Sequence, residues 1–160
     1  MRALTICQPY AHLIVTQQVE LPIGAVPKRV ENRTWETRYR GLLLIHAGKS
    51  MKFLHGDDRT KYPEMKFGAI IGIAHLIDCV RATYVSPGRN SARNSAMNFQ
   101  CVFSKEVELK HPWLKTHFHT EGPWCWVLAF ARRIKPIPCK GAQGLWIPPE
   151  DIQGQVRPHL

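Results

Sequence analysis

The sequence predicts an α+β domain, a β-barrel with flanking helices, and three observations carry that prediction. Several short runs alternate or are continuously apolar with β-branched residues, as strands are. Helical spacing occurs only in brief stretches, and glycines and prolines punctuate the gaps between them. At 160 residues the chain is long enough for a real core and reads as one domain over residues 1–160. Apolar residues make up 44% and charged residues 21%, which separates it from disordered chains.

Residues 2–7 alternate and are β-prone, a first strand. Pro9 then opens residues 10–18, where apolar side chains fall at helical spacing and the proline stands near the helix start. Pro22, Gly24 and Pro27 mark a loop. Residues 28–35 read as a strand. After the Arg40-Gly41 turn, residues 42–47 form another, too continuously apolar for an exposed edge. Residues 48–66 are polar and mixed, a short helix and a loop. Residues 68–80 are the longest apolar run and predict a central barrel strand, its glycines permitting a bend or bulge. Residues 84–98, rich in Ser, Asn, Arg, Pro and Gly, are expected to be the most mobile segment. Residues 124–131 predict another buried strand, which Pro136 and Pro138 end.

No apolar run approaches the roughly 18 residues of a membrane span, and the N-terminal stretch, interrupted by Gln8-Pro9, does not read as a signal peptide. The five cysteines are odd in number and contain no C-x-x-C pair, so reduced thiols and a cytoplasmic location are expected. His111, His117 and His119 precede Cys125, but at spacings that fit no standard zinc finger; neither metal nor cofactor is expected. The formal charge is +10, unevenly spread. Residues 24–66 hold ten lysines and arginines against five acids, and residues 81–93 and 131–140 hold seven with no acid. Such a field draws phosphate-rich partners, so RNA or DNA is the expected partner and a monomer the expected state.

The stretch Lys28-Arg29-Val30-Glu31-Asn32-Arg33 has the form K-x-x-E-x-R, followed by Trp35 and then Tyr39-Arg40-Gly41. It comes after Gln8-Pro9-Tyr10-Ala11 and before Leu42-Leu43-Leu44-Ile45-His46-Ala47. This order resembles the ASCH domain of the PUA-like superfamily, particularly the branch of a transcriptional coactivator and of stand-alone bacterial and phage proteins. Residues 136–146 are similar to those relatives too. The resemblance spans most of residues 3–147 and implies a PUA-like barrel with a nucleic-acid cleft at the motif. One departure is visible: Val26 stands where the family has a glycine, and Gly24 lies two residues further back.

In a regular strand Glu31 and Arg33 share a face, while Lys28 joins them only from before the strand or from a bulge. Lys28 suits a phosphate as a point charge. Arg33 suits phosphate or a base edge bidentately, and Glu31 accepts from an exocyclic amine or holds Arg33. The alternative for the last pair is an ion pair that only pins the barrel wall. Trp35 is a candidate base-stacking platform against a core role, with Tyr10 and Tyr39 nearby in sequence. Trp124 and Trp126 read as barrel core or rim. Gln8, at the strand-to-helix junction, either presents its amide to a base or caps the turn. Arg40, Lys49, Lys140 and Gln143 complete the candidate ligand contacts.

The expected function is therefore binding of RNA, DNA or a modified nucleoside through a basic cleft around the motif. Enzymatic alternatives use the same cleft. Some ASCH-like relatives hydrolyse acylated cytidine with a threonine where this chain has Glu31, so only a water-activating role for Glu31 with Lys28 as oxyanion partner carries over; a nuclease is the other possibility. A third reading is a protein-interaction module whose basic face is incidental.

Overall fold

The computed structural model describes residues 1–85 and 100–160, so the segment expected to be mobile lies outside the described residues from residue 86 to residue 98. Among the described residues the strands are β1 (Arg2–Ile6), β2 (Val30–Arg33), β3 (Gly41–Ala47), β4 (Ala69–Arg81), β5 (Thr83–Val85), β6 (Gln100–Val102), β7 (Trp124–Pro138) and β8 (Leu145–Trp146). The helices are α1 (Tyr10–Val15), α2 (Asp58–Lys61), α3 (Lys105–Lys110) and α4 (Glu150–Val156). The fold is α+β. Six strands form one mixed sheet in the order β2-β7-β4-β3-β1-β8, and β5 and β6 form a separate antiparallel pair. The chain divides into two compact units. The first comprises Met1–Lys28, Arg40–Leu76 and Ala129–Leu160, and the second Arg29–Tyr39 and Ile77–Leu128.

In the first unit β1 runs parallel to β3, pairing Leu4 with Ile45. A parallel pair needs a long crossover, and the chain between Ile6 and Gly41 supplies one that contains α1. Leu43, Leu44, Ile45 and Ala47 are all fully buried, the physical reason that β3 reads as an unbroken apolar run. Ile152 and Val156 of α4 join Ala3, Leu44, Ile70, Ile73, Ile134 and Ile137 in one core cluster. β3 pairs antiparallel with β4, and the register slips between Ile45 and His46, the irregularity that the glycine-containing β4 sequence anticipates.

Helix α1 is shorter than its periodicity suggests. Thr16 is already extended, and its hydroxyl donates to the His12 carbonyl at 2.7 Å, which satisfies a carbonyl that another helical turn would have used. Val15 at its end packs on Gly72 of β4. A Cβ at Gly72 would stand 2.3 Å from Val15 Cγ1 and 2.6 Å from the Arg132 carbonyl oxygen, so only glycine lets the helix approach this closely.

The expectation that prolines end the strand beginning at Trp124 is corrected, because β7 continues through Pro136 to Pro138. β2 pairs with β7 only between Trp124 and Val127. β7 stands between β2 and β4 in the sheet, and beyond Val127 its side toward β2 carries no ladder, where a proline nitrogen costs no bond. Phe130, just past the part paired with β2, has φ 51°, an uncommon value for a bulky residue.

The second unit has its own core of Val30, Val80, Ala82, Cys101, Phe103, Leu114, Cys125 and Val127. Buried Asp78 organises one side of it. Its carboxylate accepts from Lys110 Nζ at 2.7 Å, from His111 Nε2 at 2.9 Å and from the Cys79 N–H at 2.9 Å. Ser104 accepts from the Val107 N–H and caps α3. The five cysteines are free thiols.

The close approach at Gly72 has a measurable consequence. Gly72→Ala should lower the urea midpoint of unfolding, corresponding to about 2 kcal/mol with an unchanged slope, because both α1 and a backbone carbonyl must give way. A variant as stable as the parent would show that α1 does not pack here.

Candidate functional site

The motif is divided at the boundary between the two units, with Lys28 in the first and Glu31 and Arg33 in the second. Lys28 precedes β2 and stands outside the alternation of that strand. Only 4% of it is exposed, its N–H donates to the Leu13 carbonyl at 3.0 Å, and its ammonium lies 5.3 Å from the centroid of the Tyr10 ring. An aromatic face of this kind stabilises a cation that has lost part of its hydration.

Gln8 is completely buried, and both ends of its amide are used inside the first unit. Oε1 accepts from the His12 N–H at 2.9 Å, and Nε2 donates to the Lys66 carbonyl at 2.7 Å. Gln8 therefore ties the start of α1 to the chain before β4. Arg40, Lys49, Lys140 and Gln143 are exposed on the first unit. Between the last two, Gly141 lies against His46, where a Cβ would come within 2.6 Å of the imidazole Nδ1. His46 is buried, meets the Cys139 carbonyl through Nε2 at 3.1 Å and packs edge-on against Trp146. The first unit holds thirteen lysines and arginines against six acids, and the second nine against six.

In the second unit Glu31 and Arg33 are brought together, as the period of a strand requires, with an ion pair of 3.1 Å between Arg33 Nη2 and Glu31 Oε1. Glu31 is 7% exposed and Arg33 half-buried. Trp35 is half-buried and packs edge-to-face on fully buried Trp126 at 4.6 Å, and its carbonyl accepts from Trp126 Nε1 at 3.3 Å. Trp126 is core, while Trp124 is half-buried with the Arg81 guanidinium 6.0 Å from its ring.

Asn32, between the two charged residues, went unnoticed in the sequence. Its Nδ2 donates to the His119 carbonyl at 2.8 Å, and Oδ1 accepts from the Glu121 and Gly122 N–H groups at 3.0 Å each. It holds β2 to the loop before β7. The available signal was its alternation with Glu31 and Arg33, which turns it to the other face. Asp78 was likewise legible as an acid at an inward-facing position of an apolar strand. Among the described residues no group of three or more His, Cys, Asp and Glu side chains is arranged to hold a metal ion. No helix of the described residues is long and apolar enough to cross a membrane. Compared with known proteins, the chain matches no protein-family model and no curated protein sequence.

Among the described residues, burial or hydrogen bonds shift the titration of His12, His46 and Asp78, and burial raises the Cys101 and Cys139 thiols. Burial, reinforced by the Arg133 guanidinium, lowers His12 to about 4, and burial also lowers His46. Burial pushes the Asp78 carboxyl upward, but hydrogen bonds from Lys110, His111 and the Cys79 N–H outweigh it and hold the group well below the usual carboxylate range. A histidine depressed in the fold is protonated first in the unfolded chain, so stability is lost as pH falls below the ordinary histidine value of about 6.5. A depressed carboxylate contributes stability above its ordinary value of about 4, lost as pH falls further. Urea unfolding against pH should therefore show two acid stages. His12→Gln should flatten the upper one by on the order of 2 kcal/mol, and Asp78→Asn the lower one. A profile flat between pH 7 and 4.5 would contradict the assignment of neutral buried histidines.

Proposed function

We propose that this chain is a nucleic-acid-binding protein of PUA-like, ASCH type, taking single-stranded RNA or DNA through the basic residues of the K-x-x-E-x-R motif and its surroundings. The observation that carries the reading is the burial of the motif's charges. Lys28 and Glu31 are two of the few charged side chains withdrawn from water, and both belong to a six-residue stretch in a protein of charge +10. Charges kept in such positions cost desolvation free energy and concentrate at functional sites. The excess of basic groups supplies the sequence-independent part of the affinity.

A lysine as buried as Lys28 meets a ligand group that comes to it, so an unpaired nucleotide turned toward the protein suits it better than the continuous backbone of a duplex. The Arg33 fork, paired with Glu31, suits a planar acceptor edge. Exposed Lys49 and Lys140 are suited to meet flanking phosphates.

Fluorescence anisotropy with labelled single strands tests this. With contacts from Lys28, Arg33, Lys49 and Lys140, the affinity should fall with salt along a log–log slope of about −2 to −3. Lys28→Ala should weaken all sequences alike and flatten the slope by just under one unit. Arg33→Ala should change base preference. Binding indifferent to salt and to both substitutions would overturn the reading, and turnover of acylated cytidine abolished by Lys28→Ala and Glu31→Gln would replace it with hydrolysis.

A further inference from the structure

The first unit contains a pocket that the motif does not use. It measures about 370 Å³ and is walled by Leu21, Pro22 and Pro63 on its apolar side and by Tyr62, with Glu20, Glu64 and Arg133 at its mouth. A smaller recess of about 100 Å³ shares His12, Glu64 and Arg133 with it.

Two polar groups in this pocket have capacity that the fold leaves unused. His12 is 6% exposed and lines both cavities, with its ring 5.5 Å from that of Tyr62. Its backbone N–H and carbonyl are engaged by Gln8 and Thr16, but among the described residues neither ring nitrogen meets a hydrogen-bond partner. The ring nitrogens are not sealed from solvent, so water or a ligand entering the cavity is what meets them. Arg133 is held in place but keeps donors for a ligand. Its Nη2 donates to Thr16 Oγ1 at 3.0 Å, and it forms long ion pairs of 3.9 Å with Glu20 and Glu64 that are not hydrogen bonds, so a ligand oxyanion competes with both carboxylates for the guanidinium.

The geometry points to this pocket as a binding site for a compact organic oxyanion, a carboxylate or phosphate carried on a small apolar body. The oxyanion would sit on the Arg133 fork, which matches such groups bidentately, and accept a hydrogen bond from the neutral His12 imidazole. The body would lie against Leu21, Pro22 and Pro63. Lys61, whose ammonium is 5.5 Å from the Tyr62 ring, adds a second positive charge at the rim. Glu20 and Glu64 flank the guanidinium and disfavour more than one negative charge, so a monoanion fits best.

The proposal is independent of nucleic-acid binding. Benzoate, phenyl phosphate and the neutral isostere benzamide, titrated into the intact protein at about pH 5, where phenyl phosphate carries about one charge, and followed by NMR of the His12 ring, test it. The two anions should shift the His12 resonances saturably at millimolar concentration, and benzamide should bind at least about tenfold more weakly. A bound anion favours imidazolium, so saturating benzoate should also move the His12 midpoint upward from about 4; the charged groups that line the two cavities around it are Arg133, Lys61, Lys66, Glu20 and Glu64. Arg133→Gln should weaken benzoate about tenfold, with Arg133→Lys, which keeps the cation without the fork, falling between. No saturable shift with either anion, equal binding of benzamide, or unchanged binding to folded Arg133→Gln would each overturn the proposal.

Discussion

A charged side chain taken out of water has to be met by another charge, by hydrogen bonds or by an aromatic face, and the polar architecture of this protein follows from meeting that requirement. Lys28 is met by the face of Tyr10, Glu31 by Arg33, and Asp78 by Lys110, His111 and the Cys79 N–H. Each arrangement fixes part of the chain. The first holds Lys28 against α1, the second orients a guanidinium on β2, and the third joins α3 to β4. Two of the three lie within the motif. A fold needing only stability is served as well by apolar residues in such places, and it is on this ground that the ligand site is proposed at the motif.

Neutral polar side chains within the fold are used in two different ways. Asn32 and Gln8 each engage both ends of the amide within the fold, Asn32 across the loop before β7 and Gln8 at the start of α1. They act as braces that position neighbouring charged residues without offering atoms to a ligand. His12 is the reverse: its backbone is tied into the helix and its ring faces a cavity. Which atoms of an amide or imidazole the fold leaves open depends on its partners, and the identity of the side chain does not report it.

Much of the sheet was legible in the sequence. The continuous apolar runs of β3 and β4 and the alternation at Glu31 and Arg33 follow from strand period and burial, which sequence pattern reports directly. The end of α1 was not legible, because it depends on a Thr16 hydroxyl competing for a helix carbonyl. Nor was the length of β7, since the cost of Pro136 depends on whether a neighbouring strand needs its N–H at that point. At the site, residue chemistry nominated Lys28, Glu31 and Arg33, but not the inward engagement of Gln8 or the bracing by Asn32. Those depend on partners 58 and about 90 residues away. Local pattern carries the strand faces, and long-range hydrogen bonds decide what the faces do.

Ultraviolet crosslinking of the protein to a single-stranded RNA, read out by mass spectrometry of the peptides, addresses the central claim most directly. Crosslinks on the peptides that carry Tyr10 and residues 28–40 are the predicted result, weakened by Lys28→Ala. Crosslinks confined to residues 105–121, or none at a salt concentration low enough for any basic protein to bind, would contradict the account.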